Sequence, residues 1–204
     1  MISRGQRILF WTLLISSVLM AVVLLRMREK ALDRLLASGE TAPLSPQAGR
    51  PAQNVTMMIA NDINGSVGPA TQSMALPADG NARAHVILQH LIVDYARPNT
   101  KHPIAANKGV NEIFFMDLPA DATHTAPGTV AVVDLSGSFV QAHPSGIEPE
   151  TLTLLSIIET LHANFPQLTQ VRFLVDGQQR DTLAGHADLT RAYLTSDAPG
   201  VKHL

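Results

Sequence analysis

The chain has 204 residues, of which 46% are hydrophobic, and its formal net charge is −2. This composition excludes a wholly disordered chain and a collagen, and the lack of cysteine excludes disulfides, thiol catalysis and zinc–thiolate sites. Residues 1–34 hold six of the fifteen basic side chains, so the remaining chain has a net charge of −6 and no basic stripe, and nucleic acid is an unfavourable partner.

An apolar run at residues 8–25 follows a short N-terminal tail, residues 1–7. The run contains no charged residue, and as a helix it spans about 27 Å, close to the hydrocarbon thickness of a bilayer. It is longer than the apolar core of a usual signal peptide, and residues 26–30, four of which are charged, follow it instead of a small-residue cleavage site. We therefore predict one uncleaved transmembrane helix that lies in the lipid bilayer, with a cleaved signal peptide as the alternative.

The basic residues near the two ends of this helix leave its orientation open. Two basic side chains precede the run, and four follow it by residue 34. The positive-inside rule, taken literally, places the following domain in the cytoplasm. A cytoplasmic domain therefore stays one of two alternatives.

Residues 26–54 predict a juxtamembrane helix followed by a linker. Leucines alternate with charges up to residue 36, and from residue 37 the segment holds three prolines and two glycines but no aromatic residue. Such a segment cannot bury enough apolar surface to order itself, so we predict a flexible spacer between the membrane and a folded domain.

Residues 55–195 alternate between the hydrophobic periods of strands and helices. A strand at 54–60, a turn at Asn64 and Gly65 and a weak second strand near 71–76 precede a helix at 82–96. Asp79 or Asn81 can cap the start of that helix, and Pro98 ends it.

The second half of this domain predicts two more strands, a second helix and a closing hairpin. The strands are at 110–118 and 129–135, the helix runs from Pro149 to Phe165, and the hairpin joins 171–175 to 178–183 through Asp176 and Gly177. The predicted fold is α+β, a small mixed β-sheet with two helices on one face in the order β-α-β-β-α-β-β. Residues 196–204 form a C-terminal tail.

Several short motifs in this half follow the order found in one protein family. They are residues 132–136, Gly146, Glu150, Thr160, Val171, residues 175–177 and residues 183–186. Together they resemble the GerMN domain, a family named for a sporulation and spore germination protein. The likeness covers residues 55–195, and its most specific part lies between residues 130 and 194.

The resemblance implies a domain that is exported and held at the outer face of the cytoplasmic membrane by a lipid or a helix. It also implies scaffolding or binding, since members resemble ring-building modules of secretion-like assemblies and are not regarded as enzymes. This chain has one copy of the domain, where the best-known member has two, and no lipid-bearing cysteine, so a sporulation role stays open. On this resemblance we expect a single-pass protein of the inner membrane with an extracytoplasmic domain.

Two candidate sites lie on the second helix and at the end of the fourth predicted strand. Glu159 and His162 have the spacing of helical metal ligands, but no second such helix exists, so we expect a solvated surface pair. Asp134, Ser136 and Gly137 resemble a nucleophile turn, but they lack its glycine pattern and a polar loop is expected to follow, so backbone hydrogen bonding is the favoured interpretation.

A third candidate site follows the predicted hairpin. His186 near Asp188 allows a pH-dependent or metal role, whereas a local hydrogen bond beside Gly185 is the simpler interpretation. The eight histidines show no paired zinc spacing, and no phosphate-binding glycine loop is present. We therefore predict no catalytic, cofactor-binding or metal-binding residue, and no cofactor.

The expected function is that of a membrane-anchored, extracytoplasmic GerMN-like domain in a bacterial cell-envelope assembly, a binding or scaffold module and not an enzyme. The expected partners are another envelope protein or peptidoglycan, and copies of the chain that add strands at an exposed sheet edge. The alternative is an envelope hydrolase or ligand-sensing domain that uses Asp134, His186 or Glu159.

Overall fold

The computed structural model describes Met20 and residues 51–105, 108–118 and 128–195. The chain divides into two units, Met1–Ala48 and Gly49–Leu204, and all the elements below belong to the second. Apart from Met20, the predicted transmembrane helix lies outside the described residues, as do both tails and most of the linker. None of the helices within the described residues has the length and apolar character needed to cross a bilayer.

Within the described residues, the second unit contains nine elements, which form two sheets and three helices. In chain order they are β1 (Gln53–Asn61), β2 (Ser66–Met74), α1 (Gly80–Tyr95), β3 (Val110–Leu118), β4 (Gly128–Leu135), α2 (Gly137–Ala142), α3 (Ile147–Asn164), β5 (Leu168–Val175) and β6 (Tyr193–Leu194). The predicted α+β class is confirmed. The predicted single sheet with two helices is wrong, because β1 and β2 form a sheet of their own beside a four-stranded sheet.

The four-stranded sheet has the order β3-β4-β5-β6 and is mixed. β4 pairs antiparallel with β3 and parallel with β5, and β5 pairs antiparallel with the short β6. One face of the sheet is in the core, where Ile113, Val133, Val171 and Phe173 are buried. The parallel pair requires the crossover that α2 and α3 provide between β4 and β5.

β1 has helix side chains, not a third strand, along the edge that faces away from β2. Its alternate N–H groups donate to a side-chain amide and two hydroxyls of the helices, which satisfies the strand edge inside the domain. The pairs are Thr56 N to Asn164 Oδ1 (3.3 Å), Met58 N to Thr160 Oγ1 (2.8 Å) and Ala60 N to Tyr95 Oη (2.9 Å). Because helix side chains occupy this edge, β1 pairs with no strand of the four-stranded sheet, and the two sheets are separate.

Helix α1 begins and ends where local signals in the sequence place it. Asp79 is the N-cap, and its Oδ2 accepts a hydrogen bond from Ala82 N at 2.8 Å. The helix ends at Tyr95, three residues before Pro98. Its inner face includes Leu88 and Leu91, which are fully buried, so the predicted apolar stripe is confirmed.

Helix α2 was not expected, because the sequence after Ser136 predicted a polar loop. Ser136 is instead the N-cap of this short helix, and its Oγ accepts from Phe139 N at 3.1 Å. Phe139 and Val140 are buried in the core. A helix of six residues is too short for hydrophobic periodicity to reveal, and the core packing of these two side chains stabilises it.

The predicted hairpin after β5 is wrong beyond its turn. Asp176 and Gly177 do form the turn, both with positive φ, but only an isolated bridge joins Val175 to Gln178. The antiparallel partner of β5 is β6, Tyr193–Leu194, and segment 184–187 between them is held by hydrogen bonds to α3. Those bonds belong to the candidate site.

Candidate functional site

The carboxylate of Glu150 in the first turn of α3 is the centre of the most elaborate polar site in the described residues. The side chain is fully buried and accepts five hydrogen bonds. Oε1 accepts from Gly146 N (3.0 Å) and His186 Nδ1 (2.9 Å), and Oε2 from the backbone N–H groups of Ala184 (3.0 Å), His186 (2.9 Å) and Ala187 (2.8 Å). Glu150 thus joins the start of α3 to the segment 184–187.

These contacts keep Glu150 charged despite its burial. Burial alone would raise the pKa of this carboxyl, but hydrogen bonds from the N–H groups of Gly146, Ala187 and Ala184, and from the His186 side chain, outweigh it and lower the pKa to about 2. The partial positive charge at the N-terminus of α3 acts in the same direction. Gly185, at the middle of the bound segment, has φ +121, which an L side chain rarely adopts.

His186 is oriented by Glu150 and lines a groove. Its Nδ1 donates to the carboxylate, so in the neutral ring Nε2 is an acceptor, and no described residue hydrogen-bonds to that atom. The groove has a volume of about 380 Å³ and lies between α3 and the segment 186–194. Leu155 and Ile158 line it from the helix, and Arg191, whose guanidinium carbon lies 4.4 Å from the centre of the Tyr193 ring, lines it from the segment.

A second polar cluster is buried where four separate segments meet. His102 Nδ1 lies 2.5 Å from Asp62 Oδ1, and His102 Nε2 lies 2.7 Å from Thr153 Oγ1. His143 Nε2 lies at the same distance from that hydroxyl, and its Nδ1 donates to Pro144 O at 2.8 Å. Burial lowers the pKa of His143, which favours the neutral ring, and because Nδ1 donates to Pro144 O, Nε2 of that ring is an acceptor.

Neither buried cluster was found by sequence reasoning as a unit. Glu150 was noted only as a motif residue, and Asp62, His102 and His143 were not singled out. Glu150 is 34 or more residues from its partners in segment 184–187, and the partners of His102 are up to 51 residues from it. No spacing rule in the sequence links residues so far apart, and only the tertiary fold brings them together.

The candidate nucleophile turn is a set of strand-end hydrogen bonds. Asp134 Oδ1 accepts from Gly177 N at 2.8 Å, and Asp176 Oδ1 accepts from Gly137 N at 2.9 Å. The Ser136 hydroxyl donates to Lys108 O at 2.6 Å and also caps α2. Backbone hydrogen bonding, the favoured interpretation of this motif, accounts for these side chains.

The candidate metal pair on α3 is not a solvated surface pair, and that expectation is wrong. Glu159 is buried, which raises its pKa, and His162 Nδ1 donates to Leu168 O at 3.2 Å. Helix α3 packs against β1, β2 and β5, so every residue from Ser156 to Leu161 is buried. Among the described residues, no group of three or more histidine or acidic side chains is placed to hold a metal ion.

A family model matches residues 66–181, just over half of the chain, and its description is sporulation and spore germination. The chain belongs to the Germane family. This is the family of the GerMN domain, so the resemblance noted in the sequence is confirmed. The comparison with curated proteins gave no match.

Solved structures with a likeness to this GerMN chain include three of low identity, which come from two proteins. The first GerMN domain of the sporulation protein GerM from Bacillus subtilis is 15% identical, with a TM-score of 0.41, and the match covers 70% of this chain and 96% of that one. The tandem GerMN domains of the same protein are 16% identical, with a TM-score of 0.43, over 75% and 51%. A Clostridium perfringens protein assigned as a lipoprotein is 21% identical, with a TM-score of 0.39, over 78% and 97%.

The GerMN domain also presents an unusually apolar surface, the outer face of its four-stranded sheet. Side chains paired across neighbouring strands lie on the same face of a sheet. The rows of this outer face, from β3 to β5, are Glu112, Asp134 and Leu174; Phe114, Val132 and Arg172; and Met116, Val130 and Gln170, with Leu194 of β6 beside Gln170. Val130 and Gln170 are buried, and five of the other eight side chains are apolar, although a solvent-facing sheet surface is ordinarily polar.

Proposed function

We propose that this GerMN chain is a non-catalytic binding and scaffold module of a bacterial cell-envelope assembly. Residues 8–25 anchor it in the cytoplasmic membrane, and the domain lies on the extracytoplasmic side. Its partner is another envelope protein or peptidoglycan. Anchoring raises the effective concentration of the domain toward other membrane-held proteins without any new contact.

The observation that carries this proposal is the outer face of the four-stranded sheet. Phe114 is 45% exposed and Met116 is 52% exposed, and they lie two residues apart on one strand. Contiguous exposed apolar side chains on a folded domain mark interaction sites, because leaving them in water costs free energy that a partner recovers. A binding role explains this surface, whereas a purely intramolecular role does not.

The reactive side chains of the domain support the non-catalytic part of the proposal. Asp134, Ser136 and Glu150 each hold backbone N–H groups. A catalytic carboxylate or hydroxyl must be available to a substrate, and these groups are already occupied by the fold.

Three measurements on the full-length chain test the proposal. Co-sedimentation with lipid vesicles tests the anchor, and a reporter fused after Leu204 that is active on only one side of the membrane tests the orientation. Capture from solubilised membranes, together with sedimentation with purified peptidoglycan, tests binding. We expect the double substitution Phe114→Asp and Met116→Asp to abolish binding, and Ile63→Asp in the β1–β2 turn, where Ile63 is 83% exposed, to leave it intact.

Equal binding by the two variants would refute the outer face as the binding surface. A chain that stays in the supernatant with vesicles would refute the anchor. Release of soluble fragments from peptidoglycan by the purified chain would refute the non-catalytic role.

The second candidate function is an envelope ligand sensor or hydrolase, and the Glu150–His186 pair favours it. A buried carboxylate that holds one imidazole nitrogen while the other lines a groove is an arrangement found in both acid–base and metal sites. The test is turnover of peptidoglycan, or saturable binding of a small ligand, that His186→Gln removes. Retention of either activity in His186→Gln would refute this candidate.

A further inference from the structure

We propose that the buried cluster around Thr153 holds one proton more than two neutral imidazoles and an ionised carboxylate supply, and that this proton lies on His102. His102 is then an imidazolium, and it forms a buried ion pair with Asp62. The proton ties three connections of the domain to α3 in a way that depends on pH. This inference concerns side chains that the proposed binding function does not use, and it does not depend on that function.

The hydroxyl of Thr153 has three polar neighbours but only one hydrogen. Its Oγ1 lies 2.7 Å from His102 Nε2, 2.7 Å from His143 Nε2 and 3.0 Å from Pro149 O. A hydroxyl donates one hydrogen bond and accepts others through its lone pairs. At most one of the three neighbours therefore accepts the hydrogen, so at least one of the two Nε2 atoms must carry a hydrogen of its own and donate it to Thr153.

The second nitrogen of each ring also carries a hydrogen. His143 Nδ1 lies 2.8 Å from Pro144 O, and His102 Nδ1 lies 2.5 Å from Asp62 Oδ1. A carbonyl oxygen and an ionised carboxylate only accept, so both Nδ1 atoms are donors. A ring with hydrogens on both nitrogens is an imidazolium. One of the two histidines is therefore charged, whichever way the Thr153 hydroxyl points.

The surroundings place the charge on His102. Its Nδ1 contacts a carboxylate, whereas His143 Nδ1 contacts only a carbonyl, and burial lowers the pKa of His143. The side chain of Asp62 is 32% exposed, so water reaches one member of the pair and reduces the cost of burying it. The proton lies on the imidazole because imidazole is ordinarily more basic than a carboxylate. Thr153 then accepts from His102 and donates to His143.

The other titratable groups near His102 leave Asp62 as its counter-ion. Tyr95 of α1, whose ring centre lies 4.7 Å from that of His102, is neutral because burial raises its pKa to about 12. Lys101 has an exposed side chain and offers only its carbonyl oxygen, which accepts from Asp62 N at 3.0 Å. The carboxylate of Glu150 on α3 is occupied by the five hydrogen bonds described above.

The proton joins three separate connections of the domain to α3. Asp62 belongs to the β1–β2 connection, His102 to the connection between α1 and β3, and His143 to the connection between α2 and α3. Thr153 of α3 is the point at which they meet. Without the proton, two nitrogen lone pairs face one hydroxyl, and the ion pair is lost. We therefore expect alkaline solution to open these connections locally while the rest of the core stays folded.

Nitrogen-15 NMR of the histidine rings in the full-length chain, in mild detergent, measures the proton directly. An ordinary histidine with a pKa of about 6.5 is charged in about one-tenth of molecules at pH 7.5. We expect His102 to carry hydrogens on both nitrogens in most molecules at this pH, and His143 to carry one on Nδ1 alone. Through-bond assignment in the wild-type chain makes this result independent of any variant. A His102 ring with one bare nitrogen at pH 7.5 overturns the proposal.

The substitution Asp62→Asn tests the ion pair, because it replaces the missing hydrogen without a charge. The new amide NH₂ donates to His102 Nδ1, so a neutral ring with its hydrogen on Nε2 satisfies both the amide and Thr153. We expect His102 to be neutral in this variant at pH 7.5. Glu148→Gln, which removes one exposed acidic charge from α3, is the matched control and should leave the imidazolium unchanged. A ring that stays charged in Asp62→Asn, or becomes neutral in Glu148→Gln, overturns the ion pair.

Amide hydrogen exchange measures the opening of the connections. The probes are the N–H groups of Asp62, which donates to Lys101 O, and Ile104, which donates to Tyr95 O, and the reference is the N–H of Leu88 in the core of α1. Since opening releases one proton, the ratio of probe to reference rates should increase by up to about tenfold per pH unit between pH 7 and pH 9. It should stay constant in Asp62→Asn. A ratio that is constant in the wild-type chain overturns the pH-dependent opening.

Discussion

The substitution Glu150→Gln tests whether the buried carboxylate holds the C-terminal part of the domain to α3. The amide oxygen can replace Oε2 and keep the three N–H donors of segment 184–187. The amide NH₂ then replaces Oε1 and faces Gly146 N–H, so two donors meet where a donor and an acceptor met before. Glu150→Gln therefore removes the buried negative charge and places the amide NH₂ group against the N–H group of Gly146.

The magnitude follows from the pKa of Glu150. Folding lowers this pKa from 4.5 to about 2, and each pKa unit corresponds to about 1.4 kcal/mol, so the charged form contributes about 3 kcal/mol to the free energy of unfolding at neutral pH. For a domain of this size, a loss of about 3 kcal/mol lowers the melting temperature by roughly 10 °C.

The sign of the pH dependence is also determined. Because the folded pKa is depressed, the contribution is complete above pH 4.5 and is lost as the pH falls from about 4.5 toward about 2. The wild-type chain and Glu150→Gln should therefore differ most at neutral pH, and their stabilities should approach each other in acid.

The assay is thermal and urea unfolding of both chains between pH 7 and pH 2.5, followed by circular dichroism. The matched control is Glu148→Gln, in the same helical turn but exposed, which should change the stability by no more than about 0.5 kcal/mol. A Glu150→Gln chain that melts within about 2 °C of wild type at pH 7, or a difference that stays constant in acid, would refute the reasoning.

Three further substitutions test other parts of the structure by urea unfolding. Thr153→Val leaves Nε2 of both buried imidazoles without a partner, so we expect the free energy of unfolding to fall by about 2–4 kcal/mol. The exposed Thr151→Val on the same helix should lower it by no more than about 0.5 kcal/mol. Similar losses in the two variants would contradict the buried cluster. Asp79→Ala removes the N-cap of α1 and should cost about 1 kcal/mol, whereas an unchanged stability would show that the cap contributes nothing. Gly185→Ala strains a backbone with φ +121 and should cost about 1–3 kcal/mol, while Gly68→Ala, whose new methyl group meets no atom within 4 Å, should cost less than about 1 kcal/mol.

The sequence alone determined the elements whose signals are local. The strand at Val110–Leu118 has the predicted bounds, and the cap at Asp79 and the proline at 98 were sufficient to place α1. Short motifs in the correct order were also sufficient to identify the family. The membrane anchor, the domain bounds, the absence of catalysis and the envelope partners remain predictions, since no described residue tests them.

Only the tertiary structure decided the remaining elements and both polar clusters. Helix α2 and strand β6 are too short to have a period, and they form because Phe139 is buried in the core and Tyr193 pairs with Val171. The predicted hairpin strand at 178–183 is absent because Glu150, more than thirty residues away, binds the backbone that follows it. Periodicity and caps act over a few residues, whereas hydrogen bonds to a buried charge join any segments that the packed core brings into contact.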